Sequence, residues 1–75
     1  PNTFDAKVFD SNGAIQVILS EFENVDINVF NLLGQNVASQ SATGTQNRVN
    51  VQKSGYYLVK LSNATKVSTQ KVFIR

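Results

Sequence analysis

An Asn-Gly pair set between two alternating apolar runs constrains this chain more than any other feature. Asn12-Gly13 is a strong hairpin signal, because both residues accept the positive φ angles that a two-residue type I′ turn demands. Before it, Thr3 to Asp10 alternates, with Phe4, Ala6 and Val8 on one face and Thr3, Asp5 and Lys7 on the other. After it, Ala14 to Ser20 places Ile15, Val17 and Leu19 on one face and Ile18 on the other. A period of two is the mark of a half-buried strand. A two-residue loop sets Val8 opposite Val17 and Ala6 opposite Leu19, so both apolar sets share a face. Asp10-Ser11-Asn12-Gly13 also opens like a calcium loop. The later oxygen ligands and the closing Glu are missing, so the turn reading prevails.

The rest of the chain repeats the pattern. Glu21-Phe22-Glu23-Asn24 is a polar connection with one aromatic anchor, and Val25, Ile27 and Val29 then alternate with Asp26, Asn28 and Phe30. Asn31-Leu32-Leu33-Gly34-Gln35 is a turn in which Gly34 takes positive φ. A short strand covers Asn36 to Ser39. Gln40 to Asn47, with no large apolar residue, reads as a surface loop. Val49 and Val51 mark another short strand, and Lys53-Ser54-Gly55 turns into a final hairpin that runs to Arg75. In that hairpin Tyr57, Val59 and Leu61 share a face, and a three-residue loop at Asn63 to Thr65 would set Val67 opposite Leu61. Continuing that register points Lys71 and Phe73 inward, so a β-bulge between Ser68 and Lys71 is expected to restore Val72 and Ile74 to the core. About seven short strands with turns every eight to twelve residues form a Greek-key sandwich. No stretch has helical periodicity, so the expected fold is all-β, in a single domain spanning 1–75.

Composition removes most chemistry. A chain of 75 residues buries only about 60% of the surface it exposes when unfolded. It has no Cys to add disulfides, and with no His either, the usual structural zinc sets, His-based triads and thiol nucleophiles are excluded. Glu21 and Glu23 are the only close pair of acids, and they read as solvated loop residues. No enzyme, metal site or cofactor is expected. No apolar run approaches the roughly 20 residues of a membrane span, so direct membrane insertion is not expected. With no Met and a Pro-Asn start, the chain reads as a domain excised from a longer protein.

Charge is unevenly placed. The five acids (Asp5, Asp10, Glu21, Glu23, Asp26) precede Ile27, and Arg48, Lys53, Lys60, Lys66, Lys71 and Arg75 follow it. Such asymmetry marks either a binding surface or acidic and basic strands that lie side by side and neutralise each other. The cations are spread singly, without a nucleic-acid-binding module, so nucleic acid is not an expected partner. Asn63-Ala64-Thr65 fits the N-glycosylation pattern, and equally suits a hairpin turn. Phe9, Phe22, Phe30 and Tyr56 could line a sugar-binding platform, or pack at the sandwich edges as exposed apolar groups commonly do.

Three segments taken in order carry a family resemblance. Val29-Phe30-Asn31-Leu32-Leu33-Gly34-Gln35-Asn36-Val37, Gly55-Tyr56-Tyr57-Leu58-Val59-Lys60-Leu61 and Lys71-Val72-Phe73-Ile74-Arg75 resemble the type A C-terminal sorting domain of the type IX secretion system. The similarity covers about residues 14 to 75. Pro1-Asn2-Thr3 lacks the second proline of the family's usual opening, and Phe4 to Asn12 stand as an extra segment. The resemblance implies an immunoglobulin-like sandwich that acts as an address for an N-terminal cargo. That cargo would cross the periplasm and outer membrane to the cell surface or medium. The implied partners are the outer-membrane translocon, its shuttle components and a sortase-like peptidase that removes the domain. The residues implied in signal recognition are Gly55, Tyr57, Val59, Lys60, Lys71, Val72, Ile74 and Arg75, with Gly34 at the family's turn. Asn12 and Gly13 are structural turn residues on the hairpin reading alone. An unpaired edge of the terminal hairpin would bind by strand addition, to the machinery or to a second copy, with Lys60, Lys71 and Arg75 steering an acidic partner. Two rival readings are a small adhesive or carbohydrate-binding sandwich and an inert spacer.

Overall fold

Alternation of β-branched and aromatic residues with polar ones builds strands that bury one face, and two such faces close on each other here. The computed structural model describes residues 6–20, 24–51 and 53–75. Seven strands follow in order: β1 (Ala6–Ser11), β2 (Ala14–Leu19), β3 (Asp26–Asn31), β4 (Asn36–Ser41), β5 (Gln46–Asn50), β6 (Gly55–Ser62) and β7 (Val67–Ile74). They form an antiparallel three-stranded sheet, β1-β2-β5, packed on an antiparallel four-stranded sheet, β4-β3-β6-β7. The connections β2 to β3, β4 to β5 and β5 to β6 cross between the sheets, as in an immunoglobulin-like Greek key.

The core is the sum of the inward positions. Ile15, Val17, Leu19 and Val49 from one sheet meet Ile27, Val29, Tyr57, Val59, Leu61, Val72 and Ile74 from the other, with Val25 beside them. The first hairpin has the expected register, Val8 opposite Val17 and Ala6 opposite Leu19. Asn12 and Gly13 have φ of 53° and 80°, and the Gly13 amide donates to Asp10 Oδ1 at 3.1 Å. The Asp10 side chain thus serves the turn. Thr3 to Asp5 of the expected first strand, and the Glu21-Phe22-Glu23 connection, lie outside the described residues.

Two expectations are corrected. The terminal hairpin contains no bulge, because its loop has four residues and not three. Ser62 faces Val67 and Leu61 faces Ser68, so the pairing runs unbroken to Gly55 opposite Ile74. The fourth loop residue comes from side-chain chemistry: Asn63 Oδ1 accepts from the Thr65 and Lys66 amides at 2.9 Å each and from Thr65 Oγ1 at 3.2 Å. The Asn63 amide also donates to the Lys66 carbonyl at 3.0 Å, which closes the loop one residue later than expected. Parity is therefore set by an Asx-type turn, and the register shift of this sheet lies in β4. There Val29 faces Ala38 and Phe30 faces Asn36, leaving Val37 as the extra residue. The second correction concerns the expected loop over Gln40 to Asn47, which shrinks to residues 42–45. Gln40 and Ser41 extend β4 opposite Ile27 and Asp26, since ladder hydrogen bonds require no apolar side chain. Asn47, at the start of β5, is buried and ties down the remaining loop, accepting from the Thr43 amide and donating to the Gly44 carbonyl at 3.0 Å each.

A glutamine closes each open side of the sandwich. Gln40 Nε2 of β4 donates to the Arg48 carbonyl of β5, and Gln70 Nε2 of β7 donates to the Ala6 carbonyl of β1, both at 3.2 Å. Further along, Asp10, Asn12 and Gly13 share a surface cleft with Phe73 and Arg75. Strands β1 and β7 therefore run in the same direction along facing edges of the two sheets.

Where the chain enters β6, Tyr57 Oη donates to the Lys53 carbonyl at 2.6 Å, a tyrosine corner that clamps the crossover from β5. Gly55 begins the strand at φ +137°, a backbone conformation that side-chain-bearing residues rarely adopt. A Cβ added there would meet nothing within 4 Å, so the requirement for glycine is one of backbone conformation. Accordingly, Tyr57→Phe should lower stability by about 1 kcal/mol, read as a fall of about 4–8 °C in Tm. Gly55→Ala should cost about 1–3 kcal/mol although no neighbour is displaced. Thermal unfolding followed by circular dichroism checks both.

Candidate recognition site

Because successive strand residues point to opposite faces, the motif residues of β6 and β7 divide into two sets. Tyr57, Val59, Val72 and Ile74 are buried between the sheets, with Val59 and Ile74 almost fully enclosed. Gly55 sets the backbone at the entry to β6. Lys60, Lys71 and Arg75 project from the opposite face to solvent. These three are the exposed side chains among the eight predicted recognition residues, and Tyr57, though mostly buried, reaches the wall of a surface cleft. Gly34, with φ +86°, and Asn12 and Gly13 sit in their turns as expected.

The outward residues of β6 and β7 include several that sequence reasoning did not single out. Cross-strand pairing places Phe30, Leu58 and Lys71 in one row of the outer face and Tyr56 and Phe73 in the next. The Tyr56 and Phe73 rings lie 4.9 Å apart at 55°, a tilted arrangement that favours the ring quadrupoles. Lys71 Nζ sits 4.7 Å from the centroid of the Tyr56 ring, within cation–π range. Tyr56 and Phe73 remain 49% and 50% exposed, while Phe30 and Leu58 are half-buried. The signal for this cluster was available, as the positions alternate with the buried motif residues.

The other end of the same face is polar. Asn28, Lys60 and Thr69 form one row and Asp26, Ser62 and Val67 another. Ser41 Oγ donates to Asp26 Oδ1 at 3.2 Å, and Ser39 Oγ donates to Asn28 Oδ1 at 2.8 Å. Among the described residues the acids are Asp10 and Asp26, which lie on different sheets. Asp26 shares the outer face with Lys60 and Lys71, one cross-strand row beyond Lys60.

Two further surface features adjoin the face. Asn31 Oδ1 accepts from the Leu33 and Gln35 amides at 2.9 and 3.0 Å, and Asn31 Nδ2 donates to Gln35 Oε1 at 2.9 Å. The turn so fixed holds Leu32 and Leu33 in solvent, 60% and 84% exposed. Beside it an open cleft of about 560 Å³ is lined by Asn31, Gln35, Asn50, Lys53 and Tyr56 among others. The aromatic platform expected of a sugar-binding module is divided: Phe9 projects from β1 on the other sheet, Phe30 and Tyr56 share the β6 side, and Phe22 lies outside the described residues. The edge of β7 is partly covered by β1 through the Gln70–Ala6 hydrogen bond.

The fold and this face define a small immunoglobulin-like sandwich with a basic, aromatic patch on one outer face. The sequence matches the profile of the secretion system C-terminal sorting domain over residues 3–75, and the chain belongs to that family. The match takes in the segment from Phe4 to Asn12 that the resemblance had left outside. No curated protein matches the chain. It is a C-terminal sorting signal of the type IX secretion system, which works with that machinery to export an attached N-terminal cargo across the outer membrane toward the cell surface or beyond. The family is one of sorting signals and is not known as enzymatic.

Because Val72 and Ile74 are core residues, a deletion of Lys71 to Arg75 removes part of the core. Each lost side chain forfeits about 1.5–3 kcal/mol of burial, against about 5 kcal/mol of total stability at the low end for domains. The truncated chain should be largely unfolded at 37 °C, with amide exchange losing protection throughout the four-stranded sheet. Lys71→Glu should leave that protection intact.

Proposed function

We propose that the folded domain is the address itself, and that its outward residues are read while its inward residues hold them in place. In this reading Lys60, Lys71 and Arg75 meet the translocon or its shuttle components. Gly55, Tyr57, Val59, Val72 and Ile74 act through the fold, by fixing which residues of β6 and β7 face out. A sortase-like peptidase then removes the domain at the cell surface and leaves the cargo there or in the medium. The observation that carries the reading is the family match over nearly the whole chain. The solvent-facing placement of the three cations supports it. Strand addition at the β7 edge, to the machinery or to a second copy, would have to displace the Gln70 bridge to β1, which makes face recognition the simpler mode.

A reporter enzyme carrying a Sec signal peptide and this chain at its C-terminus tests the reading in a bacterium with a type IX system. The reporter should appear at the surface or in the medium, shortened by about the 8.2 kDa of the domain. The same reporter without the domain should stay in the periplasm. Periplasmic retention of a fusion whose domain resists protease, and is therefore folded, would sink the sorting reading. Surface export without shortening would leave the address in place and remove only the peptidase step.

A further inference from the structure

We propose that the apolar end of the outer face formed by β6 and β7 is a docking surface for an acidic, apolar-containing segment of a protein in the export machinery. The inference rests on the sorting reading and adds to it the place of contact and the chemistry of the partner. Tyr56, Leu58 and Phe73 form its floor, and Lys71 and Arg75 frame it. Nothing in the fold calls for apolar residues there. The same face is built of Asn28, Ser39, Ser41, Ser62 and Thr69 toward its other end, with Val67 as a single exposed apolar residue there, and Thr serves an exposed strand position as well as Phe does. The apolar residues are gathered on adjacent rows, which is the arrangement of a contact site rather than of singly scattered exposure.

Charge selects the occupant. The face carries Lys60, Lys71 and Arg75, and its one acid among the described residues, Asp26, lies at the far end hydrogen-bonded to Ser41. Asp10 of the other sheet adjoins Phe73 and Arg75 across a cleft, with its Oδ1 accepting from the Gly13 amide. A segment bearing Asp or Glu between apolar side chains can place carboxylates on these cations and its own side chains on the rings. A second copy would bring like charges together across the same face, which disfavours self-association there. Anionic membrane surfaces draw on clustered basic residues, whereas these cations are spaced along the sheet and Lys71 is held over the Tyr56 ring. The partner is therefore a protein segment.

The test uses the chain fused to a secreted reporter in a type IX host. One variant combines Tyr56→Thr, Leu58→Thr and Phe73→Thr, a second combines Lys71→Glu and Arg75→Glu, and Ser41→Thr at the polar end serves as control. Each purified domain is first checked for an unchanged Tm. The rate of surface appearance should fall about tenfold or more in both test variants, the scale expected from losing hot-spot contacts or electrostatic steering, with the control unchanged. If the triple variant does not fold, the charge variant and a photocrosslinker decide. For the latter, Phe73 is replaced by p-benzoylphenylalanine, and the adduct formed during export is sequenced. A crosslinked peptide from another protein, rich in Asp and Glu, supports the proposal. An adduct to lipid or lipopolysaccharide, an adduct to a second copy, the absence of an adduct, or export at the original rate in the folded variants overturns it. Failure of the unmodified fusion to leave the periplasm overturns the sorting reading and this proposal with it, whereas export of the unmodified fusion together with unaffected variants overturns this proposal alone.

Discussion

The parity of β6 is the constraint on which the rest depends. This strand pairs with β3 on one side and β7 on the other, so its register decides which residues of three strands enter the core. Tyr57, Val59 and Leu61 point in, and a slip of one residue would bury Tyr56, Leu58 and Lys60 in their place. Placing the Lys60 ammonium between two apolar sheets without a partner would cost several kcal/mol, on the order of the domain's whole stability. The Tyr57 hydroxyl, bonded to the Lys53 carbonyl, fixes the start of the count, and the four-residue loop closed by Asn63 fixes its end. Between those two anchors the alternation has one solution.

That solution also ties the sorting family's motif residues to the surface. The apolar motif positions Tyr57, Val59, Val72 and Ile74 shape the core, and the positions between them face outward. In this chain the intervening positions hold two aromatic rings, a leucine and three cations. Three of those residues, Lys60, Lys71 and Arg75, belong to the motif itself, so the motif contributes both core positions and exposed cations.

Most of the fold was legible in the sequence because the signals were local. Asn12-Gly13 fixed the register of the first hairpin, and alternation in Val25 to Phe30 and in Tyr57 to Leu61 gave the inward sets that the core contains. The misreadings fell where side-chain hydrogen bonding decided the outcome. Asn63 captures two amides and adds a residue to its loop, and Asn47, a buried polar residue, shortens another. Neither effect appears in apolar periodicity. Of the site, Lys60, Lys71 and Arg75 were legible as exposed cations. The contribution of Tyr56 and Phe73 became clear only from the pairing, since 16 residues lie between them in the chain and the strand register sets their rings 4.9 Å apart.

The side-by-side course of β1 and β7 has a mechanical consequence. They run in the same direction, so the chain enters β1 at one end of the sandwich and leaves β7 at the other. A load applied between Ala6 and Arg75 is directed along both strands, and the hydrogen bonds of β1 to β2 and of β7 to β6 resist it together in shear. Strands whose loaded ends lay at the same end of the sandwich would unzip one bond at a time. Forced opening is governed by the unfolding rate rather than by equilibrium stability. A domain with a marginal core can therefore resist traction along its chain axis better than its thermal stability would suggest.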